Sequence, residues 1–203
     1  MKKAFDFLIE KDHIFRQIVD TYGLPEVIPS RPEGFETLVL LILEQQVSID
    51  SAKAAFLRIR QLVQEIKPEN LIDLTEEEFR NLGVSRQKAK YIKSLSEAVL
   101  TQLIHLESLS SKNEEEIRSE LIQLKGIGNW TIDIYLMFCL KKEDILPLGD
   151  VAVVTTMKEL LELQDKSQME DYAQNWAPYR TYASFLLWHY YLQKRGRKIS
   201  YQY

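Results

Sequence analysis

Two glycines one residue apart, Gly126 and Gly128, stand between two helical patterns in the stretch Leu124-Lys125-Gly126-Ile127-Gly128-Asn129-Trp130-Thr131. Upstream, Glu114 to Leu124 is charged and then amphipathic. Downstream, Trp130 to Leu140 is strongly apolar. This pattern predicts two helices joined by a tight turn. Glycine takes positive φ at no steric cost and admits another backbone at close range. The amides of Gly126 and Gly128 fall at the start of the second helix, where unpaired N–H groups and the helix dipole favour an anion. An ordinary helix–turn–helix connection and a grip on a DNA phosphate both satisfy these eight residues.

The rest of the chain reads as helix. Phe5 to Tyr22 carries Phe5, Leu8, Ile9, Phe15, Ile18 and Val19 at helical spacing, and Gly23-Leu24-Pro25 ends it. Pro25, Pro29 and Pro32 make an extended connector. Phe35 to Val47 is apolar nearly all round, which predicts a buried helix. A third helix is expected from Asp50 to about Ile66, stopped by Pro68. Thr75-Glu76-Glu77-Glu78 is a capping box for a short helix ending at Gly83. Arg86 to Leu106 is expected as one long helix with Ala89, Ile92, Leu95, Val99 and Leu103 on one side. Asn113 is placed to cap the helix leading into the hairpin. A loop, Lys141 to Gly149, then precedes Asp150, which sits where an N-cap belongs before Val151 to Leu163. Met169 to Trp176 and Tyr179 to Arg195 complete the series. No stretch alternates as a strand does and none repeats, so the expectation is an all-α protein of about ten helices.

Composition narrows the chemistry. Of 203 residues, 45% are hydrophobic, enough for a sizeable core. The one cysteine, Cys139, lies in an apolar helix, so no disulfide within the chain and no cysteine-held zinc or iron–sulfur site is possible. His13, His105 and His189 are too scattered for a metal motif. The charged N-terminus is unlike a signal peptide, and the longest apolar run, Leu38 to Leu43, is far too short to cross a bilayer. A reduced, cytoplasmic setting (with access to the nucleoid if the source is bacterial), no membrane partner and a monomeric chain are expected. The net charge of −4 argues mildly against nucleic acid, but its distribution matters more. Acid gathers at Glu76 to Glu78 and Glu114 to Glu116. Base gathers at Arg86 to Lys93, around Lys125, and at Lys194 to Lys198.

Five motifs together resemble a known family. The hairpin, followed by Leu146-Pro147-Leu148-Gly149-Asp150, resembles the helix–hairpin–helix base-excision DNA glycosylases, and within them the 3-methyladenine DNA glycosylase II branch. Glu44-Gln45-Gln46-Val47-Ser48, Leu82-Gly83-Val84-Ser85-Arg86-Gln87-Lys88-Ala89-Lys90-Tyr91-Ile92, and Trp176-Ala177-Pro178-Tyr179-Arg180 with Ala183 and Trp188 occur in that family's order. The resemblance implies two helical lobes with an active-site cleft between them. One spans 34–141 and holds the hairpin; the other joins 1–33 to 142–203 and carries Asp150. A compact version, without the extra N-terminal β domain of some bacterial members, is expected.

The resemblance also implies a reaction: hydrolysis of the N-glycosidic bond of alkylated purines in duplex DNA. Asp150 matches the catalytic aspartate. A carboxylate suits the task, because cleavage develops positive charge on the sugar, and it can also orient or deprotonate water. An alkylated purine is already cationic and leaves without a strong general acid. Trp130 stands where bifunctional relatives carry a nucleophilic lysine, and an indole forms no Schiff base, so no strand-cleaving lyase step is expected. Trp130 and Trp188 match aromatic residues of the base pocket, which suit a flipped cationic base. Ile134 replaces a pocket tyrosine of some members. Lys125, Gly126 and Gly128 are expected on phosphate, with Gln46 and Ser48 near the DNA and either Gln46 or another loop filling the gap left by the flipped base. The backbone carbonyls of Ile122, Leu124 and Ile127 match a monovalent-cation site, sodium or potassium; no other cofactor is implied. A non-catalytic DNA-binding module and a glycosylase for oxidised or mismatched bases are the alternatives at this point.

Overall fold

A computed structural model describes residues 1–197. Among them are twelve α-helices, two short 3-10 helices and no strand, so the all-α expectation holds. The described residues divide into two compact units, residues 1–30 with 136–197, and residues 31–135.

In the first unit, α1 (Lys2–Lys11), α2 (His13–Tyr22), α10 (Val151–Leu161), α11 (Lys166–Ala173) and α12 (Arg180–Lys194) enclose a core that includes Phe5, Leu8, Phe15, Met157, Trp176 and Leu187. The single helix expected from Phe5 to Tyr22 is two. Asp12 is extended, at φ −138° and ψ 128°, and its carboxylate accepts the Ile14 amide as the N-cap of α2. It also accepts the indole N–H of buried Trp176 at 2.9 Å. Apolar periodicity continues through the break and hides it. The remote indole and the new cap together offset the lost helical bonds.

In the second unit, α3 (Phe35–Glu44) buries every residue from Thr37 to Leu43. It packs against α4 (Ile49–Val63) and α7 (Arg86–Leu100), and α7 covers α5 (Pro68–Ile72) and α6 (Glu76–Asn81). Pro68 starts a helix rather than stopping one, because a proline at the first helical position lacks only an amide that would be unpaired anyway. The long helix from Arg86 ends at Leu100, six residues early. Leu103 is therefore 75% exposed, and Ser96 and Ala98 are buried alongside Ala89, Ile92 and Leu95. The capping boxes at Thr75/Glu78 and Asn113/Glu116 both form. The Arg31 and Glu44 side chains make a buried bidentate pair at 2.7 and 2.8 Å, which holds the end of α3 to the segment before it.

Candidate functional site

The hairpin joins α8 (Glu114–Leu121) to α9 (Asn129–Phe138). Leu124 and Ile127 are buried and anchor the loop; Lys125 and Gly128 are exposed. Gly126 has φ +90°, and a methyl group built on it would run into the ring of Tyr91. Only glycine lets the loop lie flat on that ring. Gly128 differs: its φ is not in the left-handed region, and a methyl there would meet nothing within 4 Å. The folded chain supplies no steric reason for glycine at 128. Among the described residues, the amides of both glycines donate to no loop or cap acceptor. Such open N–H groups at the start of a helix are suited to an anion.

The turn between α3 and α4 is tied to this hairpin. Gln45 is the first residue beyond α3, and its side-chain amide donates to the Gly126 carbonyl at 2.8 Å and to the Thr131 hydroxyl at 3.1 Å. Gln46 follows in the left-handed region at φ +57° and is exposed with Val47. Ser48 caps α4 through the Ser51 amide at 3.2 Å. The basic run Arg86 to Lys93 is partly engaged: Arg86 pairs with Glu76 at 2.9 Å, and the Lys88 ammonium donates to the Leu43 carbonyl at 2.7 Å. Burial lowers the Lys88 pKa. Lys194 and Arg195 both pair with Glu159, while Lys198 lies outside the described residues.

Arg118 bridges Asp133 and Glu114, each at 2.7 Å, and so fastens α8 to α9. Asp133 is buried, and burial pushes its carboxyl up to about 6 despite the guanidinium. Trp130 is half-buried at the second position of α9, while Ile134 and Tyr135 are fully inside; the Tyr135 hydroxyl accepts the Gly34 amide at 2.8 Å.

In the first unit, Asp150 caps α10. Its Oδ1 accepts the amides of Ala152 at 2.9 Å and Val153 at 3.1 Å, and the Trp188 indole N–H at 2.8 Å. Three donors on one oxygen fix the carboxylate plane. The Trp188 ring lies 5.7 and 5.8 Å from those of Phe138 and Phe185, and with Pro25, Val27, Pro29, His189 and Leu192 it lines a small cavity of about 60 Å³. The loop before Asp150 is pinned to the start of α12. Arg180 holds Asp144 through two bonds of 2.8 Å, and the Arg180 guanidinium keeps that carboxyl below the usual carboxylate range. The Thr181 hydroxyl donates to the Lys142 carbonyl and accepts the Ile145 amide.

Thus Asp150 and Trp188 are brought into direct contact, and the hairpin residues are joined to the Gln46 turn through Gln45. Sequence reading missed Gln45, Tyr91, Asp144, Thr181, Phe138 and Phe185 as contributors. Gln45, Tyr91 and Arg180 lay inside recognised motifs, but no local signal tells which partner each takes.

An all-helical fold with a glycine hairpin and a helix-capping aspartate downstream is that of a known repair superfamily. Residues 39–179 match the HhH-GPD superfamily of base excision DNA repair proteins, and the chain belongs to it. DNA-3-methyladenine glycosylase 1 of Schizosaccharomyces pombe is 28% identical over 93% of this chain and 86% of its own length. The structure of an S. pombe 3-methyladenine DNA glycosylase in complex with abasic DNA superimposes with a TM-score of 0.82 at 30% identity, covering 92% of this chain and 95% of that one. The Bacillus halodurans DNA-3-methyladenine glycosidase does so with a TM-score of 0.78 at 31% identity, covering 95% and 91%.

Proposed function

We propose that this chain is a monofunctional DNA glycosylase that releases alkylated purines of the 3-methyladenine kind from duplex DNA. The observation that carries the reading is the Asp150 carboxylate, held at the N-terminus of α10 by two amides and the Trp188 indole. A buttressed anion of this kind stabilises positive charge developing on the deoxyribose and orients the attacking water. The relatives named above support the substrate class.

Trp188, in contact with the rings of Phe138 and Phe185, offers an aromatic wall suited to a flipped cationic base, and Trp130 is a base-pocket aromatic by its place in the family's motif. Trp130 also stands in for the lyase lysine, so the product is an abasic site with an intact strand. Lys125 and the amides of Gly126 and Gly128 hold phosphate, while Gln46, exposed in its turn with Ser48 beside it, fills the space left by the base. The hairpin carbonyls of Ile122, Leu124 and Ile127 would be the groups to hold a sodium or potassium ion. Those of Ile122 and Ile127 accept no loop or cap hydrogen bond among the described residues, and that of Leu124 accepts the Ile127 amide at 3.0 Å. A bound monovalent cation would add positive charge beside the phosphate.

The test is base release from a methylated duplex. Asp150→Asn should lose at least a hundredfold in rate while retaining DNA affinity. Equal rates would refute the assignment of Asp150, and no release by wild type would favour a non-catalytic DNA-binding module. Borohydride should trap no covalent adduct, and a panel of oxidised and mismatched duplexes should be poor substrates.

A further inference from the structure

We infer that Gln45 is a positioning residue that holds the α3–α4 turn and the hairpin as one DNA-gripping surface. The inference rests on the hairpin's proposed role in binding phosphate. Both N–H bonds of the Gln45 carboxamide are used, one on the Gly126 carbonyl and one on the buried Thr131 hydroxyl. The peptide between Gly126 and Ile127 is therefore held at both ends, since its N–H donates to the Leu124 carbonyl at 3.0 Å. Rotation of that peptide would move Lys125 on one side and the Gly128 amide on the other. Helix α7 closes the arrangement. Lys88 and Tyr91 are three residues apart and share a face; Lys88 fastens the Leu43 carbonyl at the end of α3, and Tyr91 backs Gly126. Gln45 bonds directly between the two loops that this face supports. Its neighbour Gln46 projects from the same turn in a left-handed conformation, so the bond that aims the hairpin also sets the starting point of Gln46.

The experiment measures affinity of the full chain for an undamaged duplex oligonucleotide by fluorescence anisotropy across a range of salt. Gln45→Met keeps the side chain's size and removes both donors. It should weaken binding about tenfold and lower the salt slope by about one phosphate contact, with a melting temperature within a few degrees of wild type. Lys125→Ala should cost several-fold in the wild-type background and less than twofold beside Gln45→Met. Gln45→Glu, of the same length and without donors once ionised, should behave alike, which guards against a packing fault peculiar to methionine. A residue that served stability alone would lower the melting temperature and leave the cost of Lys125→Ala unchanged. That result, or wild-type affinity in Gln45→Met, overturns the inference. If Lys125→Ala leaves wild-type binding and its salt slope untouched, the phosphate role of the hairpin itself fails and takes this inference with it.

Discussion

Gly126 and Gly128 should answer the same substitution in opposite ways. At Gly126, alanine must adopt φ +90° and place its methyl group inside the Tyr91 ring. Left-handed backbone costs an L-residue about 1–2 kcal/mol, and forcing an extra methyl into packed surroundings costs about 1–3 kcal/mol. A total near 3 kcal/mol lowers the melting temperature of a chain of this size by roughly 6–12 °C. At Gly128 the methyl group meets nothing and no left-handed strain arises. Alanine is a slightly poorer start to α9 than glycine, but it reduces the freedom of the unfolded chain by a similar amount, so the net change is about zero. If the hairpin holds phosphate as proposed, the loss there falls on DNA. A methyl group between the amide and a phosphate removes a charge-assisted hydrogen bond of about 1.5–3 kcal/mol, at least a tenfold drop in affinity. Thermal unfolding by circular dichroism and duplex binding by anisotropy read the two quantities separately. The reasoning is refuted if Gly128→Ala melts as early as Gly126→Ala, if Gly128→Ala binds duplex like wild type, or if Gly126→Ala melts with wild type.

Further substitutions probe the other contacts. Trp188→Phe keeps an aromatic ring and removes the indole bond to Asp150; base release should slow by about tenfold in kcat with little change in KM, and an unchanged kcat would show that the bond has no part in catalysis. Arg180→Met frees Asp144 and the loop that delivers Asp150, so kcat should fall together with a modest loss of stability, measured by turnover and melting on the same preparation. Asp133 titrates against burial. Its folded pKa, raised from 3.8 to about 6, makes its contribution to stability fully present below the unfolded value and lost as pH rises through about 6, a swing of about 3 kcal/mol. Asp133→Asn should therefore gain on wild type in denaturant midpoint between pH 4 and pH 7, and parallel profiles would contradict the raised pKa. Arg118→Met, which leaves the buried Asp133 carboxyl without its cation, should destabilise the chain by about 3 kcal/mol at pH 7.5 and by much less near pH 4.5.

The helices were legible because their signals are local. Asp150, Asn113, Thr75 and Ser48 cap amides no more than three residues away, and the glycine pair punctuates its own turn. Order and spacing of the motifs then pointed to the repair family, and the same reasoning singled out Asp150 and the hairpin as candidates. Tertiary structure decided the joints. The break at Asp12 depends on Trp176, 164 residues away. The grip of Gln45 on Gly126 spans 81 residues, and the indole on Asp150 comes from 38 residues downstream. Hydrogen bonds of that reach leave no periodicity or neighbour pattern in the chain, because the partner is chosen by packing rather than by spacing. The hairpin shows the division most clearly. Sequence alone predicted that two glycines would make a turn. Only the fold separates their duties, since Gly126 is small for the sake of Tyr91, and Gly128 stays small although nothing in the folded chain requires it.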